Sequence, residues 1–155
     1  MDESSPDTGL DQAALLRFLG YRLTRTELQI HKRLGRGLAA HELKNSEYAI
    51  LTLIGGNPGA YLRQLGEALD ISPSNLVPVV ERLVQRELVR RVPDPRDRRL
   101  QQLHLTDKGQ SLQARAQVAV EQFEQWLEEA LSAAEKKHLF AALDKLAARV
   151  SRPEA

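Results

Sequence analysis

The chain has no cysteine among its 155 residues. That excludes disulfides, thiol-based redox sensing and a cysteine nucleophile. Long apolar runs are missing too: none approaches the ~20 residues that a membrane-crossing helix needs. The opening segment Met1-Asp2-Glu3-Ser4-Ser5-Pro6-Asp7 is acidic and lacks the apolar stretch of a signal peptide. These absences lead to the expectation of a cytoplasmic protein with no membrane partner. No G-x-S-x-G, phosphate-binding loop, G-x-G-x-x-G or paired catalytic constellation is found, so an enzyme is not expected. The four histidines (His31, His41, His104, His138) show no H-x-x-x-H spacing, and neither a metal nor a cofactor is expected.

What is present is ordinary for a globular domain: 28% charged and 42% hydrophobic residues, enough apolar content to rule out disorder. The length fits one domain, or one small domain with extensions. The formal net charge is only +1, but its distribution is uneven. Residues 1–20 hold Asp2, Glu3, Asp7 and Asp11 against Arg17. Residues 22–44 hold Arg22, Arg25, Lys32, Arg33, Arg36 and Lys44 against Glu27 and Glu42, a local net of +4. Residues 82–99 hold seven arginines against Glu87, Asp94 and Asp97, again +4. Concentrated basic charge is the footprint of a nucleic-acid binder, whatever the total.

The densest part of that charge is Pro93-Asp94-Pro95-Arg96-Asp97-Arg98-Arg99. Its prolines and aspartates mark a turn. It lies between the apolar segments Leu88–Val92 and 101–105, where Leu103 and Leu105 alternate with Gln102 and His104 as on a half-buried strand. A two-stranded β-hairpin with an arginine-rich tip is predicted. Arginine suits such a tip because its planar fork binds phosphate or enters a narrow minor groove. The plainer reading is a solvated turn whose aspartates neutralise the arginines.

The rest of the pattern is helical. Residues 11–38 place Leu16, Leu19, Leu23, Ile30, Leu34 and Leu38 near helical spacing. A second helix is expected over 45–54, capped by Asn45 or Ser46 and burying Tyr48, Leu51 and Ile54. Gly55-Gly56-Asn57-Pro58-Gly59 breaks the chain. A short helix follows over 61–69, then Ser72 as N-cap and Pro73 at the first position of a helix over about 73–86. Leu76, Val80, Leu83 and Val84 form its inner stripe, leaving Ser74, Asn75, Val77, Pro78 and Arg82 outside. Short helix, tight turn and capped helix make a helix-turn-helix. Thr106 caps a long helix carrying Leu112, Ala116, Val120, Phe123 and Leu127, and Ser132-Ala133-Ala134-Glu135 has the form of a capping box opening a last helix.

The predicted fold is therefore mainly α: a winged helix-turn-helix over 43–106, a terminal helix over 11–42, terminal helices over 107–150, an acidic flexible start over 1–10 and a tail over 151–155. The apolar stripes at both ends exceed what one compact module can cover, and a homodimer of interleaved helices is expected. Such a dimer would set two recognition helices about 34 Å apart, one helical turn of DNA. Pairing of the terminal helices within one chain is the alternative.

The segments Leu62-Arg63-Gln64-Leu65-Gly66, Ile71-Ser72-Pro73-Ser74-Asn75-Leu76, Glu81-Arg82-Leu83, Leu88-Val89-Arg90-Arg91, Asp97-Arg98-Arg99 and Leu103-His104-Leu105-Thr106-Asp107-Lys108-Gly109 resemble the successive signatures of the MarR family of transcriptional regulators. The resemblance covers about 43–109 closely. It implies a dimeric repressor, sometimes an activator, bound to a palindromic double-stranded DNA operator and released by a small, often aromatic or anionic ligand. It also implies that Arg99 enters the minor groove, that Asp97 holds a neighbouring arginine and stabilises the wing, and that Arg96 and Arg98 contact phosphate. Ser72, Ser74, Asn75, Val77, Pro78 and Arg82 fall on or beside the DNA face, and Arg63 beside a phosphate. Asn75 has the groups to read adenine bidentately, and Val77 and Pro78 offer only apolar contact. For Ser72 the alternative is simple capping. For Arg82 and Arg86 it is an internal salt bridge, and for Arg63 plain solvation.

Two departures from the family pattern stand out. Pro78 removes a helical hydrogen bond and is expected to bend the recognition helix. Glu87 stands where relatives usually have glycine, so it is expected to take a left-handed conformation unless the turn differs. Candidates for an effector site, for an aromatic acid or an acyl-CoA-like molecule, are Phe18, Tyr21, Arg22, Arg25, His31, Tyr48 and Tyr61. Two other classes stay open: a ligand-independent architectural DNA binder, and a winged helix that binds protein.

Overall fold

The structure, a computed structural model, describes residues 10–151. The acidic start expected over 1–10 and the tail over 151–155 therefore lie outside the described residues, apart from Leu10 and Ser151.

The elements follow in the order α1 (Ala13–Leu16), α2 (Leu19–Ala39), α3 (Asn45–Gly56), β1 (Ala60–Tyr61), α4 (Leu62–Leu69), α5 (Pro73–Gln85), β2 (Val89–Pro93), β3 (Gln101–Leu105), α6 (Asp107–Glu128) and α7 (Ala133–Val150). The single helix expected over 11–38 is two. Phe18 is extended at the N-cap of α2, and the Arg22 Nε donates to the Leu16 carbonyl across the break. The cap of α3 is Lys44, not Asn45 or Ser46. The Glu47 carboxylate accepts the Lys44 N–H at 3.0 Å, and the Asn45 amide is drawn off to the His31 carbonyl at 2.9 Å.

The helix-turn-helix is α4 and α5. Asp70 closes α4 in the left-handed region at φ 51°, which a short polar side chain tolerates. Ser72 occupies the N-cap position of α5, but its hydroxyl pairs with that of Ser74 at 3.0 Å and caps nothing. Helix α5 runs unbroken through Pro78. Its Leu76, Val80 and Leu83 are buried, with Val84 packed beside them.

Hairpin β2–β3 is paired as expected, Arg91 opposite Leu103 and Val92 opposite Gln102. A third strand, β1, pairs antiparallel with β3, Ala60 opposite Leu103 and Tyr61 opposite Gln102. This anchors the wing to the helices on its inner edge, as a marginal hairpin requires. Glu87 turns the chain from α5 into β2 at φ 58°, the left-handed conformation expected there.

The core sits where α3, α5, the sheet and the first half of α6 meet, around Ile50, Leu51, Ile54, Val80, Leu88, Leu103 and Ala116. Helix α6 starts hard against the sheet. The Thr106 hydroxyl accepts the Gly109 N–H at 3.0 Å and donates to the Glu87 carbonyl at 2.6 Å. A Cβ at Gly109 would lie 2.0 Å from the Leu88 carbonyl oxygen, so only glycine admits this approach. Helix α2 packs along α6, with the Arg33 guanidinium 3.9 Å over the Trp126 ring. The terminal helices thus pair in part within one chain. Helix α7, opened by the expected Ser132–Glu135 capping box, buries none of its residues. No helix among the described residues is long and apolar enough to cross a membrane.

Candidate nucleic-acid interface

The recognition helix α5 presents Ser72, Ser74, Asn75, Val77, Pro78 and Arg82 on its exposed side. Spacing alone leads to five of them, Ser74, Asn75, Val77, Pro78 and Arg82; Ser72 joins them through the family resemblance. Their side chains are short and polar at the N-terminal end, where the backbone N–H groups and the helix dipole favour anions. Val77 is 37% exposed, unusual for a valine in a module this well packed, and faces outward next to Pro78.

The wing is built around one carboxylate. Asp94 is only 6% exposed. Its Oδ1 accepts the backbone N–H of Arg96 at 2.7 Å and of Asp97 at 3.0 Å. Its Oδ2 accepts the Gln102 side-chain amide at 2.7 Å and the Tyr61 hydroxyl. The Asp94 backbone N–H closes the loop onto the Leu100 carbonyl at 3.0 Å. The Tyr61 hydrogen bond, then the Arg96 and Asp97 N–H groups, hold the Asp94 carboxyl far below the usual carboxylate range, outweighing the opposing effect of burial. The family resemblance has Asp97 hold a neighbouring arginine. Asp97 accepts the Arg99 backbone N–H at 3.0 Å, so it engages that arginine through the main chain and shapes the same turn.

The result is a fixed loop whose cations point outward. Arg96, Arg98 and Arg99 are exposed, and none takes part in a salt bridge among the described residues. The aspartates therefore do not neutralise the arginine side chains, as a merely solvated turn would have it. By contrast Arg91 is tied to Glu81 at 2.6 Å, and Arg63 to Glu67 at 2.7 Å, which raises the Arg63 pKa.

Arg82 and Arg86 converge on Glu47, a residue sequence reasoning did not single out. Glu47 is 4% exposed. Its Oε1 lies 3.4 Å from Arg82 Nε and its Oε2 3.6 Å from an Arg86 terminal nitrogen. The internal-pair alternative thus holds for both arginines, though the Arg82 side chain keeps 44% of its surface open. The missed signal was a glutamate three residues into a helix, the acidic half of a capping box. For Asp94 it was an aspartate two residues before the next donor, the pattern of an Asx turn.

The effector candidates do not gather at one place. A cavity of about 530 Å³ lies between the start of the described chain and α2, lined by Leu16, Arg22, Arg25, Thr26 and Gln29 among others. It contains the two arginines but neither Phe18 nor Tyr21. Phe18 is half exposed beside Arg17, and Tyr21 donates its hydroxyl to Gln12 at 3.0 Å. Tyr48 packs against the core, and Tyr61 is spent on the wing. His31 lies 3.6 Å from Glu27 and lines a second cavity of about 480 Å³ between α2 and α3.

Comparison with known proteins places this geometry among regulators. The model of the MarR family matches residues 43–100. A protein described as a candidate transcriptional regulatory protein for the hcr operon of Thauera aromatica is 33% identical over 129 residues, 83% of this chain and 78% of that one. The transcriptional repressor CouR bound to a 23-mer DNA duplex superposes with a TM-score of 0.83 at 32% identity, covering 89% of this chain and 98% of that one. CouR bound to p-coumaroyl-CoA superposes with a TM-score of 0.81 at 29% identity, over 89% and 97% of the two chains.

Proposed function

The chain belongs to the MarR family of DNA-binding transcriptional regulators, and from that premise we propose that it is a homodimeric repressor released from a palindromic operator by a small anionic effector. The observation that carries the DNA-binding part is the wing: three exposed arginines on a loop held by the buried Asp94, beside the open polar face of α5. Phosphate contacts from Arg96 and Arg98 fix register, Arg99 enters the minor groove, and Asn75 reads a base edge. Val77 and Pro78 supply apolar contact, to a thymine methyl for instance, so shape and wing contacts carry much of the selectivity.

Dimerisation is supported by the apolar surface left open on α2, α6 and α7, where Leu19, Leu28, Trp126 and Phe140 are each close to half exposed or more. The effector reading rests on the cavity flanked by Arg22 and Arg25, a size and charge suited to an aromatic carboxylate or the acyl end of a CoA thioester. The CoA-bound form of the similar CouR fits that chemistry.

The test is selection of duplexes from a random pool, followed by titration of the bound complex. A two-fold symmetric site with half-sites about 10 base pairs apart is expected. Aromatic acids or their CoA thioesters should dissociate the complex. Absence of any selected sequence would refute the regulator reading. A selected site that no such ligand releases would leave the ligand-independent architectural binder.

A further inference from the structure

Among the described residues Glu47 is the most deeply buried acid, at 4% exposed against 6% for Asp94. It stands in the first turn of α3, not in the helix-turn-helix, yet both of its cationic partners belong to the far end of the recognition helix. Arg82 shares the outward side of α5 with Asn75 and Pro78, spaced three and four residues apart along one helical face. Its guanidinium is divided: Nε lies on Glu47, while 44% of the side chain is open. Arg86 is more covered, with 32% of its side chain open. One buried carboxylate therefore governs how two cations stand beside the proposed DNA face.

Resting on the DNA-binding reading, we propose that Glu47 is a positioning residue for sequence selectivity. It pins Arg82 in one orientation toward the duplex and withholds Arg86 from indiscriminate phosphate contact. Flexible arginines beside a duplex bind any sequence through counterion release, which raises affinity without discrimination. A tethered guanidinium engages only where the phosphates or base edges match its fixed position, and mismatched DNA gains nothing from it. The two arginine contacts link α3 to α5, and the same carboxylate accepts the Lys44 N–H that starts α3. Rotation of α5 against α3 would break the pair.

The variant Glu47→Gln keeps the size of the side chain and an acceptor for Lys44 while removing the charge that holds the arginines. Affinity is measured by fluorescence anisotropy for the tightest duplex recovered from a random pool and for a scrambled duplex, across a salt series. In Glu47→Gln the preference for the selected duplex falls about tenfold, the scale of one hydrogen bond to a charged group. For the scrambled duplex, the slope of log affinity against log salt steepens by roughly one to two, as one or two further cations reach phosphate. Glu47→Asp, which keeps the charge but draws it back by one methylene, steepens the slope less than Glu47→Gln does. Should Glu47→Gln fail to fold, Arg82→Gln provides the second arm: the preference falls with no steepening of the slope.

A Glu47→Gln protein with wild-type preference and slope overturns the proposal. So does an equal loss of affinity for both duplexes with an unchanged slope, or an Arg82→Gln protein with undiminished preference. If the wild-type chain itself shows no preference between the duplexes, the DNA-regulator reading fails, and the proposal fails with it.

Discussion

Among the wing residues, Asp94 and Arg99 do opposite work. Arg99 is exposed and makes no ion pair among the described residues, so its removal should leave the fold intact. Arg99→Ala is expected to weaken operator binding by roughly 1–3 kcal/mol with an unchanged melting temperature, measured by anisotropy and circular dichroism. Asp94 is the reverse case: it is buried and organises four donors. Asp94→Asn should lower both thermal stability and DNA affinity at neutral pH. Because the native Asp94 carboxyl is depressed, its contribution is complete above the ordinary aspartate value of about 3.9 and declines as pH falls below it. The gap in melting temperature between wild type and Asp94→Asn is therefore expected to start narrowing below about pH 4 and to keep narrowing as the pH falls further. The arginines were legible in the sequence because their charge density was anomalous for a turn. Asp94 was not, because an aspartate between two prolines reads as punctuation until its partners, Tyr61 and Gln102, are brought to it from 33 and 8 residues away.

The elements were legible wherever a local chemical signal ended one and began the next. Asn57, Pro58 and Gly59 end α3, two residues past the expected stop, Pro73 starts α5, Thr106 caps α6, and Ser132 with Glu135 opens α7. Where the signal is tertiary, the reading slipped. Strand β1 has two residues, too few for any period, and exists because Ala60 and Tyr61 meet the free edge of β3. The break between α1 and α2 carries neither proline nor glycine. The N-cap of α3 moved because a neighbouring carbonyl, that of His31, claimed the Asn45 amide. Gly109 shows how tightly two elements are joined. Gly109→Ala would drive a methyl group into the Leu88 carbonyl, forcing α6 off the sheet. A loss of at least about 1–3 kcal/mol, the range for overpacking, is expected in urea denaturation, with a weaker hold on the wing that shares strand β2.

The molecule as a whole divides into a packed module and a set of helices with unfinished surfaces. Phe140 is 53% exposed and Leu143 39%, both on α7, where no residue is fully buried. For the proposed dimer, Phe140→Glu is expected to shift sedimentation velocity from dimer to monomer while the module over 43–106 keeps its fold, and operator affinity should fall because one half-site is lost. The pattern of the terminal stripes predicted that apolar surface would be left over. It did not predict how much α2 and α6 would cover between themselves, since packing of distant helices depends on crossing geometry that periodicity alone does not encode.

That α2–α6 seam carries a practical gift. The chain has one tryptophan, and it is there, with a cationic side chain lying flat on its ring and Phe123 5.8 Å away. Any sliding of the one helix along the other must alter the polarity around that indole. Its ultraviolet emission is thus a built-in, label-free gauge of the seam between those two helices, readable in the same cuvette in which duplex is added.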